Sequence, residues 1–115
     1  VGLRREMESY TKYLKAWNKK AALWGASHQG FTLAATTPLG KYASYIIDSA
    51  PFKQGKYAPA SHLPIVGPDH FKEQPVDAII ITAPGYTDEI ASIIRRDFGD
   101  RVEVRAIRSN HLEMV

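Results

Sequence analysis

At 115 residues the chain has the length of one ordinary domain, with 44% hydrophobic and 23% charged residues, the balance of a globular protein with a single core. No apolar run nears the ~20 residues of a membrane-spanning helix, and a net charge of +3 is far below the basic footprint of a dedicated nucleic-acid binder. Cysteine is absent, which excludes disulfides, thiolate catalysis and thiolate metal sites and fits a cytoplasmic setting. The first residue is Val1 rather than methionine, so a segment of a longer protein is expected.

Residues 3–20 place Leu3, Met7, Tyr10, Leu14 and Trp17 at alternating steps of three and four, which predicts one apolar helical stripe. Arg4, Arg5, Lys12, Lys15, Lys19 and Lys20 fall mostly on the other faces, diluted by Glu6 and Glu8, which argues against phosphate tracking along nucleic acid. Residues 1–20 are therefore expected to form a connector helix and residues 21–115 the domain proper. Packing of the stripe on the domain is the plain reading, and dimerisation through it is an alternative.

Ala21 to Trp24 is a short apolar strand that breaks into Gly25-x-Ser27-x-x-Gly30, after which Phe31 to Ala35 resumes as a helix over roughly 30–37. This is the dinucleotide fingerprint with serine at the middle glycine position. Glycines there allow close approach of backbone to a ligand, and the first helical turn offers unpaired N–H groups to an anion. Gly25, Ser27, His28 and Gly30 are the candidate ligand residues of the turn.

Residues 42–47, rich in aromatic and β-branched side chains, predict a second strand ending at Asp48. Asp48 stands 18 positions beyond Gly30, near the ~20 expected of a ribose-binding carboxylate. A turn-capping role beside Ser49 and Pro51 is equally open. From Asp48 to Gly67, prolines and a glycine interrupt regular structure, and Lys53, Lys56, Tyr57 and His62 are the groups this long loop could present to a ligand. Leu63–Val66 predicts a third strand, Pro68–Phe71 a helical turn, and Val76–Thr82 a fourth strand, apolar as befits one covered on both faces. Ala83-Pro84-Gly85 then turns into a helix over Tyr86–Phe98. Its stripe is Ile90, Ile93, Ile94 and Phe98, with acids first, arginines last and Gly99 as the stop. Residues 101–107 alternate as an edge strand would.

The pattern predicts an α/β, Rossmann-like three-layer sandwich with an N-terminal helix and a mostly parallel sheet of about five strands in the order 3-2-1-4-5. Loops 25–30, 48–62 and 83–87 would then share the carboxyl rim of the sheet. Catalytic and metal constellations are not assembled. Gly25-Ala26-Ser27-His28-Gln29 lacks the second glycine of a nucleophile elbow, and His28, His62, His70 and His111 show no metal-ligand spacing.

Several segments taken together resemble the C-terminal domain of sugar C-methyltransferases. They are Trp24-Gly25-Ala26-Ser27-x-x-Gly30-x-Thr32-Leu33, Tyr45-Ile46-Ile47-Asp48, Pro51-x-Lys53-Gln54-Gly55-Lys56-Tyr57-x-Pro59, His62-Leu63-Pro64-Ile65 and Asp88-Glu89-Ile90. The resemblance spans roughly residues 20–95, and Lys53–Tyr57 is its most specific part. It implies a domain that follows a zinc-binding domain and a central S-adenosylmethionine-binding methyltransferase domain, and that helps enclose a nucleotide-linked keto-deoxysugar. By that resemblance the methyl donor and catalytic base belong to upstream domains. Two departures fall on the expected ligand face: Pro59-Ala60-Ser61-His62 replaces the usual Pro-Gly before Thr-His, and Pro84-Gly85 replaces a usual Trp-Asn pair. A free-standing nucleotide or dinucleotide module is the alternative from the residues themselves.

Overall fold

The computed structural model describes residues 2–115. Helix α1 (Gly2–Ala16) leads into strand β1 (Ala21–Trp24), α2 (His28–Thr36), α3 (Leu39–Tyr42) and β2 (Ile46–Ile47). A 3-10 turn (Pro51–Lys53), β3 (Ile65–Val66), α4 (His70–Glu73), β4 (Ala78–Ile81), α5 (Thr87–Phe98), β5 (Glu103–Arg108) and β6 (His111–Met114) follow. The strands lie in the order β3-β2-β1-β4-β5-β6, all parallel except β6, which runs antiparallel to β5. The predicted order 3-2-1-4-5 is thus present, extended by a sixth strand.

The central strands are buried on both faces, and their side chains alternate between two cores. On one side Ala21, Leu23, Ala78 and Ile80 meet Met7, Tyr10 and Leu14 of α1 and Leu33 of α2. On the other, Ala22, Trp24, Ile79 and Ile81 meet Ile90, Ala91 and Ile94 of α5. This period of two within an unbroken apolar run is what a strand covered by helices on both faces requires. Among the described residues no helix is long and apolar enough to cross a membrane.

Helix α1 ends earlier than its predicted stripe. Asn18 takes a left-handed conformation (φ 53°), the Lys19 N–H reaches Leu14 O at 2.8 Å and the Asn18 N–H reaches Lys15 O at 3.1 Å. That is the Schellman stop, with asparagine in the position glycine usually fills. It turns Trp17 out to solvent at 70% exposure, whereas Met7, Tyr10 and Leu14 are buried inside the chain. Met7, Tyr10 and Leu14 of the stripe are therefore part of this chain's own core.

The second strand is shorter than predicted. Tyr42 closes α3, where its hydroxyl donates to the Lys19 carbonyl, and the Tyr45 hydroxyl donates to Gln74 O at 2.6 Å. Burial pushes the Tyr45 hydroxyl up to about 12, so it remains a donor through the neutral range. These aromatic residues anchor loops through their hydroxyls, leaving only Ile46 and Ile47 in the ladder.

Residues 101–107 do not form the edge. Ser109 and Asn110, both left-handed (φ 49° and 61°), make a two-residue hairpin turn that brings β6 alongside β5. The new edge is partly covered, because the Leu112 N–H donates to the Glu6 carboxylate of α1 at 2.9 Å.

At the start of β5, the strand next to β6, the end of α1 is fastened by charge. Glu103 accepts from Lys19 Nζ (2.6 Å), from the Tyr13 hydroxyl (2.9 Å) and from Arg105 (3.3 Å). Burial works to raise the Glu103 carboxyl, but the Lys19 and Tyr13 hydrogen bonds and the neighbouring cations outweigh it and hold the group below the usual range.

Candidate functional site

Strand β1 pairs with β2 on one side and β4 on the other, so the chain reverses its direction of travel across the sheet at β1. Ligands of open parallel sheets lie outside the carboxyl ends at such a switch point. A cleft of about 520 Å³ occupies this place. Its walls come from the ends of β1 (Trp24, Gly25, Ser27), β2 (Asp48, Ser49, Lys53) and β4 (Ala83, Pro84), and from the first two turns of α5 with Tyr86 before them.

The glycine turn is built by close packing against β4. A Cβ on Gly30 would fall 2.2 Å from Gly25 O, and one on Gly25, itself at φ +133°, would fall 2.8 Å from Thr82 Oγ1. Thr82 is buried, and its hydroxyl donates to Gly25 O at 3.1 Å. Ser27 caps α2: its hydroxyl accepts weakly from the Gly30 N–H (3.4 Å) and donates to Thr82 O (3.1 Å). The glycines and Ser27 therefore hold strand, turn and helix together, and the Ser27 hydroxyl is already engaged.

Asp48 does the same from β2. One carboxylate oxygen accepts from the Ala26 N–H at 2.9 Å and the other from the Ala50 N–H at 2.9 Å. Lys53 donates to Ala26 O at 2.9 Å and stands 3.7 Å from Asp48 Oδ2. The carboxylate pins the glycine turn to the loop after β2, and Lys53 closes the same ring. Both remain partly exposed on the cleft, where free lone pairs of Asp48 can still accept ligand hydroxyls.

The nine residues singled out by spacing and resemblance are thus divided. Gly25, Ser27, Asp48 and Lys53 come together at the cleft, with Gly30 packed behind the turn. His28, the next residue after Ser27, lines a different cleft on the α1 side of the turn. Lys56, Tyr57 and His62 lie in a small antiparallel loop beside β3, held by Ile65 N–H to Lys56 O and Ala58 N–H to Leu63 O, both 2.8 Å. All three are exposed, and none lines the cleft between β1 and β4. Of the expected loop 48–62 only its first part reaches the rim, because the chain turns back at Gln54, whose amide donates to Asp48 O at 2.9 Å.

Sequence reasoning placed loop 83–87 on this rim but singled out neither its Tyr86 nor Glu89 and Ile93 as ligand residues. Tyr86 is 59% exposed at the mouth, with no capping bond from its side chain. Its position just after Pro84-Gly85, opening a helix, was the available signal. The cleft offers apolar walls, an exposed aromatic ring and carboxylates, a lining suited to a ring-shaped ligand bearing hydroxyls. Among the described residues no three His, Asp or Glu side chains are grouped to hold a metal ion.

Solved structures share this architecture. UDP-D-quinovosamine 4-dehydrogenase from Vibrio fischeri is 20% identical, with a TM-score of 0.64 over 84% of this chain and 93% of that one. RSP, solved in complex with β-NAD+ and operator DNA, is 14% identical, with a TM-score of 0.53 over 89% of this chain and 52% of that one. At such identities the likeness shows the fold alone. No curated protein matches the sequence. The C-methyltransferase C-terminal domain family, in contrast, matches residues 2–101 through its sequence model, and the chain belongs to that family.

Proposed function

We propose that this domain serves an S-adenosylmethionine-dependent C-methyltransferase by holding part of a nucleotide-linked sugar in the cleft between β1 and β4. The observation that carries the reading is the cleft itself: a lined space of about 520 Å³ at the switch point of the sheet, in a member of a C-methyltransferase family. The Tyr86 ring, Pro84 and Ile93 would cover a flat face of the ligand, while Ser49, Asp48 and Glu89 receive its hydroxyls. As the resemblance implies, the methyl donor and catalytic base would be supplied by the rest of the enzyme. The Vibrio fischeri neighbour, named for a UDP-sugar, is in keeping with this substrate class.

The test is calorimetric titration of a thymidine diphosphate keto-deoxysugar into the enzyme carrying this domain. Tyr86→Ala, at an exposed position, should weaken binding about tenfold, the equivalent of ~1.4 kcal/mol, without lowering the melting temperature. Equal affinity in wild type and variant would remove the cleft from substrate binding.

The place of Asp48 at the end of β2, beside a glycine turn, supports a second reading as a free-standing dinucleotide module. On that reading adenine dinucleotides raise the melting temperature of the isolated chain. No rise at millimolar ligand would exclude it.

A further inference from the structure

The spacing Gly25-x-Ser27-x-x-Gly30 is that of a turn which holds a diphosphate, but here four of its N–H donors are spent inside the protein. The Gly25 N–H donates to Ile47 O at 2.8 Å, and the Ala26 N–H to Asp48 Oδ2 at 2.9 Å. The Gly30 N–H goes to the Ser27 hydroxyl (3.4 Å), and the Phe31 N–H to Ser27 O (2.8 Å). Ser27 stands where a second glycine would let the backbone approach a diphosphate. Its own hydroxyl donates to Thr82 O at 3.1 Å. His28, which opens α2, lines the other side of the turn.

Charge points the same way. The β1–β4 cleft is lined by two carboxylates, Asp48 and Glu89, and by one cation, Lys53. The Lys53 ammonium is held by Ala26 O at 2.9 Å and lies 3.7 Å from Asp48 Oδ2, so these two charges offset each other. That leaves Glu89, exposed in the first turn of α5. Trp24, Pro84, Tyr86, Ile90 and Ile93 make the rest of the wall apolar or aromatic.

We propose that Asp48 and Glu89 make the β1–β4 cleft select an uncharged, hydroxyl-bearing ring and hold any attached phosphate outside it. Asp48 acts by neutralising the one lysine, and Glu89 by supplying the repelling charge. The inference rests on the role proposed for this cleft and narrows it. Of a nucleotide-linked sugar, the sugar or the nucleoside ring enters and the diphosphate does not.

The experiment titrates two matched pairs into the full chain, thymidine against thymidine diphosphate and methyl glucopyranoside against glucose 1-phosphate. The amide signals of Gly25, Ser49 and Tyr86 are followed by NMR, with thymidine diphosphate glucose as the reference ligand. Whichever ring enters, its uncharged form should bind about threefold tighter than its phosphorylated form at ~50 mM salt. Raising the salt to ~300 mM should tighten the phosphorylated form, because screening weakens a repulsion. Glu89→Gln keeps an acceptor and removes the charge, so it should close most of the gap between the two forms. A phosphorylated form that binds as tightly in the wild type, or weakens as salt rises, would overturn the proposal. So would an unchanged gap in the variant, or binding of the reference ligand without either uncharged ring. In each of these cases the reference ligand still shifts the cleft signals, and the cleft keeps its role. No shift with any ligand would remove that role and this inference together.

Discussion

Asp48 shows how one side chain can hold a candidate site together while lining its cleft. Its two oxygens accept the Ala26 and Ala50 N–H groups, and the pairing with Lys53 ties the loop after β2 to the glycine turn. Asp48→Asn keeps one acceptor oxygen and loses the charge. It should cost about 1–2 kcal/mol and speed amide exchange at Ala26 and Ala50, which hydrogen-exchange NMR would read directly. Gly30 is constrained by space. Gly30→Ala sets a methyl against Gly25 O and should cost about 3 kcal/mol, lowering the melting temperature by roughly 10 °C or more. Gly55→Ala, at φ +84° with nothing near it, should cost only about 1 kcal/mol. Glu103 is one of the residues that make stability depend on acid, beside Glu6 and Asp97. Its folded-state pKa lies below its unfolded value, so its contribution is present above about pH 4.5 and is lost as pH falls through the lower folded value. Urea unfolding should therefore show Glu103→Gln less stable than wild type at pH 7, with the gap closing towards pH 3.

At the scale of elements, α1 belongs to the core. Met7 and Leu14 are fully buried, so Leu14→Ala should cost about 2–4 kcal/mol. Trp17→Ala, at the exposed C-terminal cap of α1, should stay within about 0.5 kcal/mol. Thermal melts of the two variants check both. The helical stripe was legible from its spacing, but its end was not, since Asn18 acts as a left-handed cap only because the chain must turn there into β1. The sixth strand was hidden for a similar reason. Arg108-Ser109-Asn110-His111 carries a turn signal, yet β6 is short, mostly exposed and polar, without the apolar run that marked β4. The aromatic residues around 42–45 misled in the opposite direction, because a tyrosine counts as a strand former in sequence and as a hydroxyl anchor in the fold.

At the scale of the molecule, strand order and the carboxyl rim followed from the alternation of strand and helix, and the glycine turn marked the switch point correctly. The division of the candidate residues did not follow. Whether neighbours such as Ser27 and His28 face one cleft or two depends on the phase of α2 at its first turn, and spacing along the chain does not carry that phase. The positions of Lys56, Tyr57 and His62 depend likewise on the backbone bending at Gln54 and at the left-handed Ala60 and His62. The fold thus leaves two clefts either side of one rigid turn, and the cleft between β1 and β4 bears the proposed role. The most direct test is amide-shift mapping of the domain within its enzyme during titration with a thymidine diphosphate sugar. Saturating shifts centred on Gly25, Ser49, Tyr86 and Glu89 are predicted. Shifts confined to Lys56–His62, or none in the domain at saturation of the enzyme, would contradict the account.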